Sequence, residues 1–179
     1  MVGLAPAAHG GNRTGRIFTG DASGDFLFAA LHRAGLARLP TSTAQGDGQR
    51  LLHARMVAAV RCAPPANKPL PVERDTCAPW LDRELALVLP SVRVVLALGG
   101  FAWQAALAAL ARAGLAVPRP APRFGHGAVA TLPGGPRGGL DLVGCYHPSQ
   151  QNTFTGRLTP AMADEVLATV RTRAGLADR

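Results

Sequence analysis

Three cysteines, a single tyrosine, a single lysine and only 11 acidic residues are what this 179-residue sequence has least of. An odd and small number of cysteines excludes a disulfide framework and fits a reducing compartment, which leaves metal or cluster ligation as the informative use of a thiol. Long apolar runs are also missing. The strongest, SVRVVLALGG at 91–100, falls well short of the roughly 20 residues a membrane helix needs. No charged-then-apolar leader ending at a small-residue cleavage site is evident, so the expected compartment is the cytoplasm, with no membrane partner. Acid scarcity against 19 Lys and Arg leaves a net charge of +8. An excess of that size points to an anionic partner, nucleic acid ahead of membrane, because no basic amphipathic stripe accompanies it. The basic residues are nearly all Arg, amid abundant Ala, Gly and Pro, so a coding bias is the competing reading of the same charge.

What is present is enough for one domain over residues 1–179, with 47% hydrophobic content to build its core. After the glycine-rich opening GLAPAAHGGNRTGRIFTGD (3–21), residues 25–36 carry apolar side chains at helical spacing, with Asp21 or Ser23 as N-cap and Gly35 as stop. Residues 40–49 read as a polar loop, 54–60 as a short strand and 62–79 as a proline-rich loop. Residues 80–89 read as a helix, 92–98 as a buried strand broken by Gly99 and Gly100, and 101–113 as a helix. Strands at 127–132 and 140–146 flank the turn PGGPRGG, and Pro160 opens a closing helix over 160–174. This alternation predicts a three-layer αβα sandwich with a mostly parallel central sheet and its chemistry at the carboxyl ends of the strands. The opening loop and HPSQQNTF (147–154) should therefore share one rim.

The opening loop has neither the lysine of a phosphate-binding P-loop nor the G-x-G-x-x-G spacing of a dinucleotide site. Taken in order, GLAPAAHGGNRTGRIFTGD, then CAPPANKPLP followed by a second cysteine, then HPSQQNTFTGR, resemble the uracil-DNA glycosylase superfamily, and within it the type-5, iron-sulfur branch. The resemblance covers nearly the whole chain. It implies the glycosylase-like αβα fold and hydrolysis of the N-glycosidic bond of uracil in DNA, with other deaminated bases such as hypoxanthine within reach. Such an enzyme must extrude a base, hold its face and polar edge, and stabilise the departing anion while water attacks the sugar.

By that resemblance Phe18 is the surface on which the base stacks, although a Phe beside Ile17 also reads as core. Asn67 offers an amide that both donates and accepts, as a uracil edge requires; by composition alone it is a turn residue. His147, at a strand end, would donate to the oxygen on which charge collects, where a lone His is more often structural. Leu4 and Ala5 would line the base. Sister families carry a polar residue at the position of Leu4, so the water-positioning group must come from elsewhere, and the resemblance points to Asp21. Its rival role, helix N-cap, is compatible with the first. Asp25 is the weaker alternative and His9 a more distant one. Ser149, Gln150, Asn152 and Arg157 would approach the DNA backbone and minor groove.

Cys62 and Cys77, separated by fourteen residues, match the downstream pair of the branch's four ligands to a 4Fe-4S cluster. Cys145 reads as a buried free thiol. The remaining pair in the family lies upstream of the first strand, so the resemblance implies a chain lacking its N-terminal segment, with an incomplete cluster site. The expected partner is DNA containing uracil or another deaminated base, met by a monomer. Two readings stay open: a DNA- or lesion-binding fragment without turnover, and an unrelated nucleotide-binding α/β enzyme.

Overall fold

The apolar run that reads as a buried strand does lie at the centre of a sheet. In the computed structural model, which describes residues 1–176, the strands are β1 (Val2–Gly3), β2 (Val57–Ala58), β3 (Val94–Leu98), β4 (Val129–Pro133) and β5 (Gly139–Cys145). Their order is β2-β1-β3-β5-β4, parallel throughout except for β4, which pairs antiparallel with β5 as an edge hairpin. The helices are α1 (Gly11–Thr14), α2 (Ala22–Arg33), α3 (Pro71–Val88), α4 (Gly100–Arg112), α5 (Gln150–Phe154) and α6 (Pro160–Ala174).

Strand alternation explains the layers. Val95 and Ala97 of β3 pack with Leu81 and Leu85 of α3 and Trp103, Leu107 and Leu110 of α4. Leu96 and Leu98 point the other way, into Leu27, Phe28 and Leu31 of α2 and Val166 and Leu167 of α6. A strand covered on both faces must be apolar at every position, and β3 is. The result is the expected three-layer αβα sandwich. Each fully buried leucine contributes about 1.5–3 kcal/mol. No described helix is long and apolar enough to cross a membrane.

Three elements differ from expectation by three residues or more at an end. Residues 62–79 are not one loop: a 3-10 turn at Pro65–Asn67 is followed by α3 from Pro71, so Cys77 and Pro79 are helical. Proline in the first helical turn sacrifices an N–H that would be unbonded anyway, and the Glu73 carboxylate accepts the Leu70 N–H at 2.6 Å. Helix α2 begins at Ala22 because Asp21 caps it. The strand expected over 54–60 shortens to β2, although Ala59 and Val60 still donate to the carbonyls of Gly3 and Leu4.

Because β1, β3 and β5 are parallel neighbours, their carboxyl ends deliver the opening loop, the Gly99 turn and residues 146–154 to the same rim.

Candidate active site

The opening loop turns through α1, closed by Gly15, and comes back to place Phe18 and Asp21 over the end of β1. Phe18 is 7% exposed and belongs to the apolar cluster under α2, so the core reading holds for it. Its ring also faces the rim: it covers Gly3, where a methyl group would stand 2.8 Å from a ring carbon, and its centroid is 5.8 Å from that of His147. The backbone of Phe18 is left-handed (φ 54), a conformation that costs a non-glycine residue about 1–3 kcal/mol and therefore needs support. Support comes from a polar strap. Buried Thr19 and Ser42 share a 2.7 Å hydroxyl contact, and Arg16 bonds both Ser42 and Asp47. The loop at 40–49 is thus polar as expected but docked on the opening loop.

Asp21 performs the capping role. One carboxylate oxygen accepts the Gly24 N–H at 2.8 Å, while the other lies against Gly10. Its charge reaches His147. Burial of the His147 imidazole pushes its pKa below the usual histidine value, and the Asp21 carboxylate partly offsets that. The unfolded chain titrates at the ordinary value, so in the interval between the two it binds more protons than the native state. The stability contributed by neutral His147 is therefore whole above the ordinary value and is lost as pH falls through it. Melting temperature should decline from about pH 7 to about pH 5, and less steeply in His147→Gln; equal slopes in the two proteins would remove His147 from this account.

The structure brings Phe18, Asp21 and His147 together. Leu4 and Ala5, half-buried, continue from β1 beneath the same loop. Asn67 is exposed and left-handed (φ 55), and its side chain has no hydrogen-bond partner among the described residues. It follows β2, whose end opens on the same rim. In the last loop, Asn152 donates from its amide to the His147 carbonyl at 2.8 Å, bracing the histidine backbone. Ser149 caps α5 through its backbone carbonyl, and Gln150 and Arg157 are exposed. Two residues not singled out from the sequence stand on this rim. Phe154 is 78% exposed, and His126 stacks on Tyr146 at 4.9 Å. A glycine-flanked histidine just before a strand (FGHGA) was the available signal for His126; for Phe154, an aromatic in a polar loop.

Cys62 is exposed and Cys77 half-buried, and at the corner between β2 and α3 the Arg61 N–H, next to Cys62 in the chain, donates to the Cys77 sulfur at 3.4 Å. An N–H aimed at sulfur is what a ligating thiolate receives. Among the described residues no group of three or more His, Cys, Asp or Glu side chains could hold a metal ion. Cys145 is buried, and burial pushes its thiol up to about 12. Alkylation of the folded chain should label Cys62 promptly and Cys145 only on unfolding, read by peptide mass mapping; early labelling of Cys145 would contradict its buried place at the end of β5.

A family model described as the uracil DNA glycosylase superfamily matches residues 1–171. Similar proteins include the type-5 uracil-DNA glycosylase of Mycobacterium tuberculosis, 56% identical over 98% of this chain and 63% of its own length. That of Thermus thermophilus is 52% identical over 98% of this chain and 75% of its own. That of Pyrobaculum aerophilum is 45% identical over 98% and 71%. The chain thus spans less than two thirds of the length of the Mycobacterium tuberculosis relative.

Proposed function

We propose that this chain, which belongs to the uracil-DNA glycosylase superfamily, removes uracil from DNA by hydrolysing the N-glycosidic bond with Asp21 and His147 at the reacting centre. The observation that carries the reading is the meeting of Asp21, Phe18 and His147 on one rim in a chain that is 56% identical to a type-5 uracil-DNA glycosylase.

The chemistry divides among those side chains. An extruded uracil stacks against the aromatic face at Phe18, an interaction worth about 1–3 kcal/mol per base, and rests on the backbone at Leu4 and Ala5. The Asn67 amide reads its polar edge. As the bond to the sugar breaks, the base leaves as an anion, and neutral His147 donates to the oxygen that takes up the charge. The Asp21 carboxylate faces the positive sugar and polarises the incoming water, which adds to the anomeric carbon; the products are free uracil and an abasic site. Ser149, Gln150 and Arg157 engage backbone and minor groove, and Phe154 supplies an apolar ring to fill the gap left in the stack. Hypoxanthine falls within the same reading because the contacts just described are to a planar face and a polar edge.

Cys62 and Cys77 would hold two corners of a 4Fe-4S cluster. Bound there, the cluster would cross-link the corner from which the Asn67 turn projects, since Asn67 lies between the two cysteines in the chain.

The test is release of free uracil from a uracil-containing oligonucleotide, read by alkaline scission at the abasic site. Tight binding without release would favour a lesion-binding protein that lacks turnover.

A further inference from the structure

Tyr146 leaves β5 one residue before His147 and gathers a second group of side chains around its ring. His126 stacks on it with centroids 4.9 Å apart and planes at 28°, the guanidinium carbon of Arg157 lies 4.9 Å from its centroid, and Phe124 meets it at 6.2 Å. His126 is also fixed by the backbone, because the Tyr146 N–H donates to its Nδ1 at 3.2 Å. A nitrogen that accepts carries no hydrogen, so the neutral ring bears its proton on Nε2. That donor has no partner among the described residues.

Charge on this side of the rim is equally uncommitted. Some surface arginines, Arg33, Arg55 and Arg112 among them, are paired with carboxylates. Arg157 is exposed and has no carboxylate partner among the described residues, and neither has Arg123, next to Phe124. An aromatic face holds a guanidinium in place without neutralising it, which leaves its fork free for an oxyanion. One fixed donor and one held cation packed on the same tyrosine ring, with no acceptor among the described residues to satisfy either, suit a singly charged phosphodiester.

We propose that His126 Nε2 and the Arg157 guanidinium, both mounted on Tyr146, grip a single DNA backbone phosphate beside the base pocket, an inference that rests on the glycosylase reading above. Because Tyr146 and His147 are consecutive, the grip fixes the strand relative to the histidine at the reacting centre through one peptide unit.

The experiment uses the complete protein and a labelled duplex carrying a tetrahydrofuran abasic analogue, titrated by fluorescence anisotropy over a range of KCl concentrations. Arg157→Gln should lower the log-log salt slope by about 0.9, the value for one phosphate. In His126→Asn the amide oxygen can still accept the Tyr146 N–H, so the loop is kept while the Nε2 donor is lost. Affinity should fall about tenfold at every salt concentration with the slope unchanged. Parental affinity in His126→Asn would overturn the proposal and leave His126 as a prop for the Tyr146 backbone. Should that variant lose its melting transition, methylphosphonates placed singly around the lesion decide instead. One position must weaken the parent and leave Arg157→Gln unaffected, and the absence of such a position overturns the grip. Uracil release is scored separately: a parent that binds steeply but releases no uracil sinks the glycosylase reading alone, and an active parent with unaffected variants sinks this one alone.

Discussion

Asp21→Asn should slow single-turnover uracil release by about a hundredfold or more while shifting the melting temperature little. The choice of asparagine separates the two roles that meet at this residue. Asn and Asp are about equally good N-caps, so an amide oxygen can take over the 2.8 Å bond from the Gly24 N–H and α2 keeps its first turn. What it cannot keep is the negative charge that polarises water and faces the positive sugar, interactions that strengthen only in the transition state. Removing that charge also removes the one influence that raises the His147 pKa against burial, so His147 stays neutral and competent as a donor. Asp21→Ala would mix the chemical loss with about 1 kcal/mol of lost capping. A near-parental rate in Asp21→Asn, with the melt unchanged, would reduce Asp21 to a cap.

The parts of this fold legible from sequence are those in which local pattern and tertiary environment agree. Strand β3 reads as an unbroken apolar run because both of its faces are covered, and α6 is framed by Thr159, which caps it, and by left-handed Gly175. The first half of helix α3 is hidden for the opposite reason: Pro71 and Pro79 read as loop punctuation, and its buried residues, Leu81 and Leu85, both lie in the second half, which does read as a helix. Strand β1 pairs through only two residues, too short for any periodicity to register. The site divides in the same way. Asp21, Phe18 and His147 stand in motifs whose order along the chain could be read. The strap from Arg16 to Ser42 and Asp47 joins positions 26 and 31 residues apart, and the stack of His126 on Tyr146 joins positions 20 apart, so neither leaves a local trace.

Gly10→Ala should be nearly as damaging as Asp21→Asn, although the residue touches no substrate in the reading above. Gly10 is buried at the start of α1, and its carbonyl accepts from Arg13 and Thr14. A methyl group there would stand 2.0 Å from one Asp21 carboxylate oxygen and 2.9 Å from the carboxyl carbon, distances that no real side chain tolerates. Something must move. The carboxylate cannot simply rotate, because its other oxygen is tied to the first turn of α2, so either that bond breaks or the helix start shifts. A displacement near 1 Å at a reacting group typically costs about a hundredfold in rate, and that loss is expected for Gly10→Ala in the single-turnover assay. Combining the two substitutions distinguishes this cause from general destabilisation. If Gly10→Ala acts by displacing the Asp21 carboxylate, then in an Asp21→Asn background, where the catalytic charge is already gone, the added methyl has little left to remove, and the double variant should fall only slightly below Asp21→Asn. Multiplicative losses, with a melting temperature lowered to match, would mean that Gly10 serves the loop and not the carboxylate.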